Sequence, residues 1–375
     1  MKRLILLISL VYLVVSCRQP GQPSSSTEAL LPDTILYAQG FSIHTHDHYK
    51  LVEVRDPWDS TRLLQRYVLV DRHLPLPEDL PRGLIVRTPL QNVVVYSSVH
   101  ASIIEELGEI DRIVGVCEPQ YMESPGIRRG LRTGRIADLG MSTAPNVEKM
   151  IDISAECIIA SPFQNSNYGQ AEKLGIPIIE AADYMEALPL GRAEWGRFYG
   201  LLFCQQAKAD SIFRVTEKRY MELKTLAETA ADRPSVFSEK RYGSFWYIPG
   251  NDSYVAHFFR DAGAMYRFGN IPGQGSTPLA FEKVLDQAIH ADFWLIKYNQ
   301  AEEMSYEDLR IEYTPYENFD AFKRRNIYTC NTGKTPYYEE FPIHPDYLLK
   351  DLIHVFHPDL LPGYTPRYYR RMAED

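Results

Sequence analysis

Residues 92–118 read NVVVYSSVHASIIEELGEIDRIVGVCE. An apolar β-branched run, NVVVY, stops at two serines. ASIIEELG then carries helical spacing and ends on Gly108. RIVGVC is a second apolar run. A strand apolar on every side must be covered on both faces, and strands of this kind alternating with short helices predict a parallel sheet between helical layers. The grammar continues: NVEKMIDI reads as a helix, ECIIAS as a third strand, NYGQAEKLG as a helix and IPIIEA as a fourth strand.

Outward from this core, Arg192 to about Ala231 reads as one helix. Trp195, Phe198, Tyr199, Leu202 and Phe203 follow i, i+3, i+4, i+7, i+8 spacing. Forty such residues span about 60 Å, which predicts a rigid strut between two lobes. After Pro234 the α/β style returns. PSVFSEK, DFWLIKYN and NIYTCN read as strands; SYVAHFFRDAGA, LAFEKVLDQA and DYLLKDLIHVFH read as helices. Ahead of the core, Thr34 to Leu84 shows the strand-like runs TILYAQGFSI, YKLVEVRDPW and RYVLVDR, a β-rich entry region. The fold class is α/β: two Rossmann-like lobes joined by one long backbone helix, with a small β-rich N-terminal addition.

The start, MKRLILLISLVYLVVSC, has a basic pair, an apolar run from Leu4 to Val15 and a small residue before Cys17. That is the pattern of a secretory signal peptide, too short for a comfortable membrane span. VVSC resembles a bacterial lipobox, which implies lipidation of Cys17; a plain signal peptide is the other reading. RQPGQPSSSTEALLP reads as a flexible tether. The expected organisation is a signal peptide 1–17, a tether 18–33, an N-terminal lobe 34–190, a connecting helix 191–231 and a C-terminal lobe 232–375. A lipid anchor and a tether place a soluble domain beside a membrane, in the periplasm.

Net charge is −9, and −11 once Lys2 and Arg3 leave with the signal peptide. This argues against a nucleic-acid surface. No later stretch has the run of about 18 apolar residues of a membrane helix. Tyrosine is abundant, 25 residues beside 16 Phe and 4 Trp, a stock equally suited to a ligand cleft and to a large core. Cys117, Cys157, Cys204 and Cys330 lack CxxC spacing. Cys157 reads as a small buried hydrophobe; a disulfide stays open. HTHDH, residues 44–48, places His44 and His46 on one strand face, with His48 turned away by a bend near Asp47. With no Cys nearby and His48 turned off the face, it reads as a solvated hairpin tip rather than a tetrahedral zinc site, and no metal centre is expected.

The assembled segments resemble the helix-backbone class of ABC-transporter substrate-binding proteins, which capture ferric siderophores, haem or cobalamin. The residues that carry the resemblance are NVVVYSSVHASIIEELGEIDRIVGVCE, NVEKMIDISAECIIAS and KLGIPII, then FFRDAGA, LAFEKVLDQAIHADFWLI and DLIHVFHPDLL, together covering Gln91 to Leu361. Three features depart from the family: SS replaces its usual SP turn, AECI replaces PDLV, and the entry region is an addition. The resemblance implies an ABC permease and an ATPase as partners, and a ferric siderophore, haem or cobalamin as ligand. It implies no cofactor of the protein's own, although the ligand itself can be a metal chelate. Glu148 in NVEKM and Glu282 in AFEKV match the family's permease-docking glutamates, one on each lobe; on the residues alone both are ordinary solvated helix positions.

Open parallel sheets bind ligands beyond the carboxyl ends of their strands. Those ends place Ser97, Ser98 and His100, then Cys117, Glu118 and Tyr121, then Phe163, Gln164 and Asn165 at the cleft. In the second lobe they are Trp246, Tyr247 and Tyr254 in SFWYIPGNDSY (244–254), and Lys297, Tyr298 and Asn299. Large aromatics suit a corrin, porphyrin or siderophore face, and amides and hydroxyls fix its orientation. His100 is either a metal ligand or a hydrogen-bonded histidine at a helix start. Lys297 either meets an acidic ligand group or is solvated. No catalytic residue is expected: GxSxG, HExxH and CxxC are missing, and PGQGS (272–276) lacks the Lys of a phosphate loop. An extracytoplasmic α/β hydrolase and a lipid-anchored adhesion module remain the alternative classes.

Overall fold

The computed structural model describes residues 33–164 and 167–374. Cys17, most of the tether and Asn165 lie outside the described residues. The entry region forms a four-stranded sheet, β1 (Phe41–Thr45), β2 (Lys50–Arg55), β3 (Leu63–Asp71) and β4 (Leu84–Thr88), in that spatial order. The first three strands are antiparallel, and β4 runs parallel to β3. Alternation puts Phe41, Ile43, Val52 and Val54 on one buried face. His44 and His46 stay exposed at the tip, where His46 stacks on Tyr49.

The N-terminal lobe follows as β5 (Val93–Val95), α1 (Ser98–Glu106), β6 (Ile113–Val116), α2 (Pro125–Thr133), β7 (Ala137–Asp138), α3 (Val147–Asp152), β8 (Cys157–Ala160) and β9 (Ile178–Glu180). Its sheet has the order β7-β6-β5-β8-β9, parallel throughout. The chain leaves β5 on one side and returns to its other side at β8, which makes the β5/β8 crevice a topological switch point. The segment expected as a helix around Ala171–Leu174 is a short 3-10 turn.

The strut differs from expectation. In place of one helix there are α4 (Pro189–Glu194), α5 (Gly196–Leu202) and α6 (Gln206–Glu228). Cys204 adopts φ +55°, and the Gln205 N–H turns back to the Gly200 carbonyl at 2.7 Å. A Cβ on Gly200 would lie 2.6 Å from the Ala209 Cβ, so the glycine lets α5 and α6 close on one another. The continuous backbone helix is therefore α6, 23 residues or about 34 Å long. The apolar stripe does pack as read: Trp195, Phe198, Tyr199, Leu202 and Phe203 are all buried.

The C-terminal lobe runs β10 (Ser235–Ser238), β11 (Arg241–Tyr242), β12 (Phe245–Pro249), α7 (Tyr254–Asp261), β13 (Met265–Tyr266), β14 (Ser276–Leu279), α8 (Phe281–Ala288) and β15 (Phe293–Tyr298). It continues with α9 (Tyr306–Glu312), α10 (Asp320–Lys323), β16 (Ile327–Asn331), α11 (Tyr337–Glu340), α12 (Pro345–Phe356) and β17 (Arg370–Arg371). Strands β13-β10-β15-β16 are parallel neighbours with β17 antiparallel at the edge, and β11-β12-β14 form a separate antiparallel sheet. The second switch point lies between β10 and β15.

The entry sheet is fused to the N-terminal lobe. Phe41 packs on Trp195 at 4.7 Å and Tyr67 on Phe198 at 5.8 Å between ring centroids. Two carboxylates in and beside α4 hold the incoming chain. Glu194 accepts from the backbone N–H groups of Leu36, Tyr37 and Ala38 at 2.8–3.1 Å, and Glu186 accepts from Gln39 and Gly40. Arg197 pairs with both Glu194 and Asp210, so the buried Glu194 charge is compensated. Cys117, Cys157, Cys204 and Cys330 are free thiols. No helix among the described residues is long and apolar enough to cross a membrane.

Candidate functional site

Residues at the carboxyl edge of the first sheet build one wall. The chain leaves β5 through Tyr96 and Ser97; the Ser97 Oγ caps α1 by accepting from the Val99 N–H at 3.3 Å. After β6, Glu118 takes a left-handed conformation, φ +54°, and its carboxylate accepts from the Ser142 N–H and Oγ at 3.3 and 2.9 Å. The Pro119–Tyr121 turn that follows holds Tyr121 out, 60% exposed. After β8, Phe163 stands out at 63%. These residues line a cavity of about 350 Å³ with the Cys117 thiol on its wall, and with Tyr96, Ser161 and Tyr168. Burial pushes that thiol up to about 12, so it is a neutral surface rather than a nucleophile.

A larger cavity, about 570 Å³, shares Ser97, Ser98 and Tyr121 and opens between the lobes. Its far side is Asn299 after β15 and Thr332, Gly333 and Tyr338 after β16. One side of this opening is latched. The Glu339 carboxylate accepts from the N–H groups of Glu123 at 2.7 Å and Ser124 at 3.2 Å, and the Ser102 hydroxyl donates to the Glu339 carbonyl. His344 at the start of α12 meets Glu106 of α1 at 2.8 Å. Burial raises the Glu339 carboxyl, while the two donated N–H groups pull it back. The residues after β16 were missed in the sequence. The signal was there, since NTGKTP follows an apolar strand just as SS and SPF do.

The second switch point holds a cavity of about 340 Å³, lined by Glu239, Tyr247, Tyr254, Gln274, Ser276 and Lys297 among others. Gln274 and Ser276 belong to PGQGS, whose last residue opens β14, so this glycine-rich segment borders the cavity. Tyr254 stacks on Phe341 at 5.7 Å, with the Arg192 guanidinium 4.2 Å from its ring centroid.

Trp246, His100, Tyr298 and Gln164 do not line these cavities, and Lys297 does so only as half of an ion pair. Trp246 is fully buried in β12, not in a loop: Phe245, Trp246, Tyr247 and Ile248 alternate out, in, out, in. Its indole N–H donates to the Ser238 carbonyl at 3.0 Å, and its ring meets Phe237, Trp294, Tyr316 and Phe319. His100 is fully buried, with Nε2 3.3 Å from the Ser161 Oγ, so it backs the wall without facing a ligand. Burial lowers its pKa to about 4, which keeps it neutral. Tyr298 is buried; its hydroxyl donates to Glu303 and accepts from the Met304 N–H. Lys297 is neither solvated nor free but ion-paired with Glu239. Burial works against its charge, and the Glu239 carboxylate with nearby tyrosines raises its pKa well above the usual value. Gln164 is exposed beside Phe163 but outside these cavity walls.

Glu148 and Glu282 are both exposed in the first turns of α3 and α8, one on each lobe. Neither enters an ion pair among the described residues, and an acid in a first turn is favoured by the helix dipole. No group of three or more His, Cys, Asp or Glu side chains among the described residues is placed to hold a metal.

A family model described as periplasmic binding protein matches residues 93–332. An uncharacterized lipoprotein of Methanocaldococcus jannaschii is 25% identical over 81% of this chain and 75% of its own length. A second lipoprotein of that organism is 22% identical over 92% and 88%. Among solved structures, a periplasmic heme-binding protein from Pseudomonas aeruginosa superimposes with TM-score 0.58 at 15% identity, over 76% of this chain and 98% of that one. An ABC-type Fe3+-hydroxamate transport system protein from Saccharomonospora viridis gives 0.56 at 16% identity, over 72% and 94%. At such identities the superpositions establish the fold, two α/β lobes joined by a backbone helix. The family match spans both lobes and the strand ends that form the cleft, and the chain belongs to the periplasmic binding protein family.

Proposed function

We propose that this chain is the substrate-binding lipoprotein of an ABC importer, capturing an iron chelate or a corrin- or haem-like compound between its lobes. The observation that carries this reading is the cleft itself. The carboxyl ends of two parallel sheets face one another across it, with Tyr121, Phe163, Tyr247 and Tyr338 exposed on its rim and walls. Exposed aromatics at such a position cost solvation unless a flat, partly apolar ligand covers them. The neighbours described as an Fe3+-hydroxamate transport system protein and a periplasmic heme-binding protein, and relatives named as lipoproteins, support the same reading.

In this reading Cys17 carries the lipid that holds the chain at the outer face of a membrane. Glu148 and Glu282 dock the two lobes onto arginines of a permease, a two-point contact that sets orientation. The chain contributes capture and docking; the permease and ATPase move the cargo.

The test is calorimetric titration of the full-length chain in detergent with ferric hydroxamates, ferric catecholates, ferric citrate, haemin and cyanocobalamin. Calorimetry is preferred to intrinsic fluorescence because Trp195, Trp246 and Trp294 are all fully buried. A saturable, sub-micromolar partner supports the proposal. Folded protein that binds none of them refutes it.

A further inference from the structure

We infer that the cleft selects chelates without net negative charge, taking an uncharged or cationic complex and turning away polyanionic ones. The inference rests on the ligand-binding reading above and concerns what that site prefers. The charged groups on the three cavity walls are Glu118, Glu123, Glu239, Glu339, Lys240 and Lys297. Both lysines are already spent: Lys297 is bonded to Glu239, and Lys240 to Glu312. Glu123 is offset by Arg128 on the outer surface. Glu118 and Glu339 are held by neutral N–H and hydroxyl donors, which fix their carboxylates without cancelling charge. No arginine lines these cavities among the described residues.

A polyanion entering here would shed water against fixed carboxylates and meet no unpaired cation, a desolvation that nothing on the walls returns. An uncharged complex loses little, and a cationic one gains twice. It meets the carboxylates, and it meets the faces of Tyr121, Phe163 and Tyr247, whose quadrupoles attract positive charge. Rejection by like charge is a common way to discriminate between ligands of equal size.

The experiment titrates the full-length chain with probes that differ in charge, the trihydroxamates and the tris-catecholate being also of comparable size. They are a cationic and an uncharged ferric trihydroxamate, cyanocobalamin, haemin, ferric citrate and a trianionic ferric tris-catecholate. At least one uncharged or cationic probe should bind, and each anionic probe should bind on the order of 100-fold more weakly. Glu239→Gln releases Lys297 into the cleft. It should raise affinity for the tris-catecholate about tenfold, with an increment that fades as salt is added. Glu123→Lys places a cation at an exposed position on the cleft wall, and should act in the same direction. Tightest binding of an anionic probe by the wild-type chain would overturn the charge inference and leave chelate capture standing. Binding of none of the probes would overturn both.

Discussion

Two neighbours in β12 divide stability from binding, and one pair of substitutions separates them. Trp246 is fully buried against four aromatic rings, whereas Tyr247, one residue on, is 44% exposed in the cleft wall. Trp246→Phe keeps a ring but removes the indole N–H that reaches the Ser238 carbonyl at 3.0 Å, and leaves part of the indole volume empty. The lost buried hydrogen bond costs about 1–2 kcal/mol and the unfilled space about another 1 kcal/mol. The sum, about 2–3 kcal/mol, corresponds to a fall in Tm of roughly 4–12 °C for a lobe of this size. Ligand affinity should stay within about twofold, because no ring in that stack lines the cleft cavities. Tyr247→Ala should do the reverse, leaving stability within about 0.5 kcal/mol and weakening binding about tenfold. Calorimetric unfolding and titration of each variant read both quantities. If Trp246→Phe weakened binding more than Tyr247→Ala while leaving Tm unchanged, the assignment of the two residues to opposite faces would be wrong.

Glu194→Gln should cost about 3–5 kcal/mol, since it discharges a fully buried carboxylate that holds three backbone N–H groups and leaves Arg197 under-compensated. Its local signature is faster hydrogen exchange at Leu36, Tyr37 and Ala38, and unchanged exchange there would refute the clamp. His100 is pressed down to about 4 by burial from an ordinary value of 6.5. The unfolded chain therefore binds the proton first, and about 3 kcal/mol of stability is lost as pH falls from 6.5 to 4. Denaturation of His100→Gln over that range should show a flatter loss than wild type; parallel curves would refute it. Glu148→Arg with Glu282→Arg should leave ligand affinity unchanged and reduce uptake in cells at least about tenfold, with undiminished uptake counting against docking.

The helix-backbone α/β plan was legible because its signals are local. Apolar β-branched runs, small polar residues after them and Gly108 or Gly263 closing a helix all act within a few residues of one another. The strand-end rule was equally local, and it located Ser97, Ser98, Glu118, Tyr121 and Asn299 on cavity walls from their position after apolar runs alone. The break between α5 and α6 was not legible: FCQQ has neither Gly nor Pro at the turn, and Cys204 is forced to positive φ by the closure of α5 on α6.

What the sequence determined by itself is the period and order of the elements, since each follows from neighbours along the chain. What only the tertiary structure decided is which face of an element is covered and which charge meets which. FWYI alternates whichever way it is turned, and Trp246 points inward because Phe237, Trp294, Tyr316 and Phe319 arrive from other elements to bury it. Lys297 is neutralised by a glutamate 58 residues away, and Glu339 holds backbone more than 200 residues away. Burial and pairing are set by groups brought together in space, and for the residues of this cleft those groups come from distant parts of the chain.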